Sequence, residues 1–260
     1  MMKDPTLGDV LGEVLRDALA VAAGVGRRPL AGGRLPRPVI EIVERDDGLV
    51  SGVLAAPSYL AEPDDWPAHD HRALDRVRGR VLDIGVGAGR AALVLQERGV
   101  PVTGLDISPG AIEVSRTRGV RDLVHATVEQ HAAEGHRYDT FLLLGNNLGL
   151  LEGRERAPRF LAALAKMANP GAQVIGQGTD PYGTTDPVQV TYHERNRGRG
   201  RLGGQLRLRL RYRELASDWF DYLVCSPAEL AELVAGTGWR LADIDNADAP
   251  YYLATLTPSP

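Results

Sequence analysis

At 260 residues and a formal net charge of −4, the chain is long enough for one large domain or a domain with a cap. Its composition, 43% hydrophobic and 25% charged, is that of a globular protein, and the mild acidity argues against a general nucleic-acid binder. A single cysteine, Cys225, excludes an intramolecular disulfide and any cysteine-built zinc or iron–sulfur site, and suits a reducing compartment. No apolar run reaches the ~18 residues of a spanning helix. Asp9, Glu13, Arg16 and Asp17 interrupt what would be the apolar stretch of a leader, so a cytoplasmic protein without a membrane partner is expected.

Residues 6–24 read as an amphipathic helix, with Leu7, Val10, Leu11, Val14, Leu15, Ala18 and Leu19 at helical spacing. Gly24 to Pro38 reads as a connector. Val39–Val43 is a short strand candidate closed by the turn signal Asp46-Asp47-Gly48. Tyr59 to Pro67 is irregular, and a short helix runs from His69 to Val77.

From Arg80 strands and helices alternate. Val81–Ile84 precedes a helix from Arg90 to Arg98, Val102–Asp106 a helix from Pro109 to Arg118. Val120–His125 and Tyr138–Leu144 are further strands. A helix from Gly153 to Met167 leads into Gln173–Gln177. The alternation predicts a mostly parallel sheet covered by helices on both faces. Val188–Glu194 and Gln205–Arg213 alternate at period two and read as an inserted antiparallel hairpin, about residues 179–216. Asp221–Val224 is one more strand candidate. Ser226-Pro227-Ala228-Glu229 opens a capped helix, and Trp239–Ile244 with Tyr251–Thr257 closes the sheet as an antiparallel pair.

Chemistry concentrates at Asp83-Ile84-Gly85-Val86-Gly87-Ala88-Gly89-Arg90, where a strand enters a glycine-rich turn and then a helix. Glycines there let a ligand approach the backbone, and the helix start offers free N–H groups. A dinucleotide fingerprint would want glycine where Arg90 stands. Asp106 ends the next strand, where a carboxylate can accept both hydroxyls of a ribose. Ala126-Thr127-Val128 is a third polar step.

With these three steps in register, the sequence resembles the class I S-adenosylmethionine-dependent methyltransferases over about residues 80–180. The resemblance implies a Rossmann-like seven-stranded α/β sheet, mostly parallel with an antiparallel last strand, an N-terminal cap over about residues 1–75, and a core over 76–260 that carries the hairpin. It implies S-adenosylmethionine as cofactor, S-adenosylhomocysteine as product, and methyl transfer to a small molecule. Asp83, Gly85 and Gly87 would line the amino-acid end of the cofactor. Asp106 would hold the ribose, Ile107 would pack on the adenine, and Thr127 and Val128 would stand at the adenine edge. Leu144, Gly145, Asn146 and Asn147 would follow the fourth strand, the two asparagines orienting the acceptor. Tyr59, before Trp66-Pro67, would reach the cofactor carboxylate. His193 and His69 are the candidate bases.

Base N-methylating enzymes show Asp/Asn-Pro-Pro-aromatic after the fourth strand; here the segment is Gly145-Asn146-Asn147-Leu148. His69-Asp70-His71 places two histidines at i and i+2, which diverge on a helix, and no metal is predicted. Arg207, Arg209, Arg211 and Arg213 share one strand face, which reads as a solvated edge or as a surface for an anionic or RNA partner. An RNA methyltransferase and an inactive cofactor-binding module are therefore the alternatives, and a homodimer is left open.

Overall fold

A computed structural model describes residues 6–24 and 38–260. The connector predicted at Gly24 to Pro38 lies mostly outside the described residues. In chain order the elements are β1 (Thr6–Leu7), α1 (Val10–Ala22), β2 (Ile40–Arg45), β3 (Val50–Leu54), α2 (Ala55–Tyr59) and α3 (Ala68–Asp75). There follow β4 (Val81–Ile84), α4 (Arg90–Glu97), β5 (Val102–Asp106), α5 (Pro109–Arg118), β6 (Leu123–His125), α6 (Val128–Ala132), β7 (Tyr138–Leu143), α7 (Ala157–Met167) and β8 (Ala168–Thr179). Last come α8 (Pro187–Gly198), β9 (Gln205–Tyr212), β10 (Leu215–Ala216), β11 (Phe220–Leu223), α9 (Pro227–Val234), β12 (Trp239–Asp245) and β13 (Tyr251–Pro258).

Seven strands form the main sheet in the order β12-β13-β8-β7-β4-β5-β6. The five from β8 to β6 are parallel, and β13 runs antiparallel to both β8 and β12. Period-two alternation divides its side chains between two cores. Leu82, Phe141, Leu143 and Val174 join Phe160, Leu164, Leu230 and Trp239 of α7, α9 and β12. Val81, Leu142 and Ile175 join Ala73, Leu74, Leu95 and Ile112 of α3, α4 and α5. Strands buried on both faces are nearly continuous apolar runs, as Phe141-Leu142-Leu143 is. The predicted seven-stranded sheet is the one observed.

A second sheet has the order β1-β10-β9-β2-β3, with β11 also paired to β9. It joins the chain's first sixty residues to its last third. Two expectations are corrected here. Val188–Glu194 lies in α8 and is helical, so the predicted hairpin loses its first limb. Asp186 accepts a hydrogen bond from Val188 N (2.9 Å) and Pro187 stands in the first turn. That cap decides the helix over an alternation too short to specify a strand. The partner of β9 is then β2, paired from Ile42 with Arg211 to Arg45 with Leu208.

Candidate functional site

The site forms where β4 and β5 end. Gly85, Gly87 and Gly89 have φ of 74°, 55° and 82°, the left-handed region that favours glycine. A Cβ on Gly85 would lie 2.5 Å from Asn147 Nδ2, whereas one on Gly87 would meet nothing closer than 3.9 Å. Gly85 is thus packed from behind while Gly87 presents bare backbone. Gly85 N and Val86 N both donate to Leu105 O, at 2.8 and 3.0 Å, which ties the turn to the end of β5.

Two carboxylates sit at this turn. Asp83 is buried; desolvation first, then the Asp106 charge, push its carboxyl up to about 7. Asp106 is also buried and raised by desolvation, although its Oδ2 accepts from Gly87 N and its Oδ1 from Ser108 N, both at 2.9 Å. Each oxygen keeps a second lone pair. Neighbouring buried carboxylates of this kind call for a cation and for hydroxyl donors, which fits the α-ammonium and ribose of S-adenosylmethionine. Beside them Ile107 is 70% exposed, an apolar surface open to a ligand. Val128 is buried. Thr127 is occupied as the N-cap of α6, in a capping box with Gln130.

After β7, Leu144 is buried and Gly145 (φ 67°) and Asn146 (φ 66°) turn the chain in the left-handed region. Asn147 donates through Nδ2 to Ile84 O (3.0 Å) and Gly85 O (3.2 Å), so it braces the glycine turn. Asn146 donates from its backbone N to Gln177 (3.0 Å), and its Oδ1 accepts from Thr179 (2.9 Å). Its carbonyl accepts from the Tyr222 hydroxyl at 2.7 Å. The structure therefore gathers Asp83, Gly85, Gly87, Asp106, Asn146 and Asn147.

Other expected residues are engaged elsewhere. Tyr59 donates to Glu41 Oε2 (2.7 Å). Trp66 packs in the core of α3 and α4 and donates to Ala61 O (2.9 Å). His193, buried on α8, stands edge-on to Tyr182; burial first, then Arg197 and Arg45, lower its pKa. His69 is buried against Asp248 and Tyr251. Cys225 is buried under Tyr252 and its thiol is pushed up to about 12 by burial, the state of an inert core thiol. Away from the turn, donor atoms of His131, Glu134 and His136 lie within 4.8 Å of one another.

Three residues that the sequence reading passed over matter here. Asp9 accepts from Gly12 N (3.0 Å), Ser108 Oγ (2.7 Å) and Gly110 N (2.8 Å), so one carboxylate caps α1 and holds the entry to α5. Arg90 pairs with the buried Asp70 at 2.7 Å and stacks on the Trp66 ring, tying α4 to the segment before the core. Glu41, on β2, is buried with Oε1 unpartnered. Its signal was legible: it stands between Val39 and Val43 at period two, a lone acid on an apolar strand face.

The arginine face of β9 is paired. Glu44 meets Arg209 (2.8 Å) and Arg211 (3.4 Å), and Asp221 meets Arg201 (3.0 Å) and Arg207 (3.6 Å). Arg213 meets Asp17 and Arg195 meets Asp46. Such pairing suits a solvated, charge-balanced edge more than a polyanion track.

The family described as "Methyltransferase domain" matches residues 81–171, the segment that holds the glycine turn, Asp106 and the asparagines. A solved SAM-dependent methyltransferase from Bacteroides fragilis, in complex with S-adenosyl-L-homocysteine, superposes with a TM-score of 0.77 over 99% of both chains at 23% identity. The CcbJ methyltransferase of Streptomyces caelestis gives 0.56 over 76% of this chain and 94% of its own at 18% identity. At those identities the likeness is one of fold. Among curated relatives, the ubiquinone biosynthesis O-methyltransferase of Azorhizobium caulinodans is 34% identical over 113 residues, 41% of this chain and 43% of its own length. The ribosomal protein L11 methyltransferase of Ralstonia pickettii is 31% identical over 148 residues, 55% of this chain and 45% of its own. The chain thus spans less than half the length of these relatives. Residues 81–171 thus match a methyltransferase domain, and the sheet order and glycine turn are those of the fold that the solved S-adenosylmethionine-dependent methyltransferases share.

Proposed function

We propose that the protein transfers a methyl group from S-adenosylmethionine to a small-molecule acceptor. The observation that carries this reading is the pair of buried carboxylates, Asp83 and Asp106, on a left-handed glycine turn with open backbone at Gly87. Asp83, Gly85 and Gly87 hold the amino-acid end, Asp106 the ribose, and exposed Ile107 covers the adenine. The methyl donor supplies an electrophilic sulfonium, so the protein's work is orientation and exclusion of water. Asn147 fixes the turn against the end of β4, and Asn146 presents the fourth-strand loop to the acceptor. Relatives named for ubiquinone biosynthesis O-methylation support a small acceptor, as does the paired arginine face.

Calorimetry with S-adenosylmethionine tests the reading. Micromolar binding is expected for the wild type. Asp106→Ala removes charge-assisted bonds and is expected to weaken it by about 1.5–3 kcal/mol, tenfold or more. A wild type that does not bind the cofactor overturns the proposal.

A further inference from the structure

We infer that Glu41 is the acceptor-binding carboxylate of this site and that the acceptor presents an amine to it, an assignment that rests on the methyltransferase reading above. The second sheet has two unlike faces. Pairing of Val43 with Leu210, Leu208 with Phe220 and Leu206 with Tyr222 puts these side chains on one face together with Glu41. Arg207, Arg209 and Arg211 take the other. β2 places two charges on the apolar face. Arg45 is satisfied by Asp47 (2.7 Å) and Gln189 (2.6 Å) and stacks on Tyr192. Among the described residues Glu41 has one neutral partner, the Tyr59 hydroxyl on Oε2, while Oε1 is buried without any.

The carboxylate is linked to the site through Tyr59, which donates to its other oxygen and packs against the cluster that holds Ala88 of the glycine turn. Tyr222 in turn donates to Asn146 O, and its ring covers Gly149. Glu41 thus shares one sheet face with Tyr222, which reaches the fourth-strand loop, and one hydrogen bond with Tyr59, which packs toward the glycine turn. Burial holds its carboxyl above the usual range in spite of the Tyr59 bond.

A buried carboxylate with one neutral donor lacks a counter-charge, and such groups in folded proteins are paired. An ammonium supplies both charge and several N–H donors; an alcohol supplies one hydrogen bond and no charge. Leu206, Leu208 and Phe220 on the same face, all half-buried, offer an apolar wall to the rest of the molecule. In the transfer, the ammonium gives one proton to Glu41 and its nitrogen lone pair forms the N–CH3 bond. The S–CH3 bond breaks with its electron pair left on sulfur, and the thioether departs neutral.

The test titrates the S-adenosylhomocysteine complex with size-matched pairs, benzylamine against benzyl alcohol and phenethylamine against phenethyl alcohol. The wild type is expected to bind the amines at least about tenfold tighter than the alcohols. Glu41→Gln is expected to lose that preference, to keep its S-adenosylhomocysteine affinity and to melt no lower than the wild type. Tyr59→Phe, which leaves the carboxylate in place, is expected to keep the preference. Equal binding of amine and alcohol, no amine binding, or loss of the preference in Tyr59→Phe overturns the assignment while the cofactor reading stands. So does a tenfold loss of S-adenosylhomocysteine affinity in Glu41→Gln, which would place Glu41 on the cofactor. A wild type that does not bind S-adenosylhomocysteine overturns both readings.

Discussion

The two sheets of this protein are built on opposite plans. In the main sheet β4, β5 and β6 are each followed within a few residues by a helix, and the glycine turn and its two buried carboxylates sit at strand ends. In the second sheet β2 pairs with a strand more than 160 residues away, and Glu41, the proposed acceptor carboxylate, lies on a strand face. A site at strand ends is written in local sequence, because strand, turn and helix cap are contiguous. A site on a sheet face depends on which distant strand pairs with which, and no local signal records that.

The largest effect should come from Arg90→Ala, which unties α4 from α3 on one face of the main sheet. It leaves Asp70, 2% exposed, without its partner and removes the stack on Trp66. A loss of about 3–5 kcal/mol is expected in chemical denaturation, the range for breaking a buried pair. A loss below about 1 kcal/mol would show this tie between α3 and α4 to be loose. Asn147→Ala strips two hydrogen bonds from the carbonyls of Ile84 and Gly85. It should cost about 1–3 kcal/mol and weaken cofactor binding, and unchanged affinity would show that the turn holds itself.

Asp83 gives a pH signature. Its folded pKa is raised to about 7, above the unfolded value of about 3.9. The stability it contributes is complete below about pH 4 and is lost as pH rises through about 7. Melting temperatures of the wild type should therefore fall across that window more steeply than those of Asp83→Asn. Parallel curves would remove Asp83 from the account. The smallest effect is expected for Arg209→Ala on the outer face of the second sheet. Its pair with Glu44 is partly exposed, so its loss should change stability by at most about 1 kcal/mol, and less in high salt.

Much of the first plan was legible. Gly85, Gly87, Asp83 and Asp106 declare themselves by residue type and by position between a strand and a helix. Asn147 was legible as a candidate but not in its contacts, since its partners are the carbonyls of Ile84 and Gly85, at the end of β4 and in the turn. Tyr59 was expected at the cofactor carboxylate, yet its hydroxyl is spent on Glu41, a bond that exists only because α2 folds back on β2. In α8 the period-two pattern of Val188, Val190 and Tyr192 hid a cap, Asp186-Pro187, that needs only local geometry to act. Arg90 looked like a departure from a glycine pattern; its reason lies in Asp70, twenty residues earlier and on another element.

The pairing of β2 with β9 also sets an order of events. A chain emerging from the ribosome completes β4, the glycine turn and β5 long before residues 205–223 exist. Sheets closed between distant segments form late, because loop closure precedes any reward from contact. The nascent protein thus carries β2 and β3 as half a sheet, with Glu41 and its strand at an open edge, until residues 205–223 arrive. Closure of the second sheet is then a late event, and the half-made sheet is a point at which a chaperone would have something to cover.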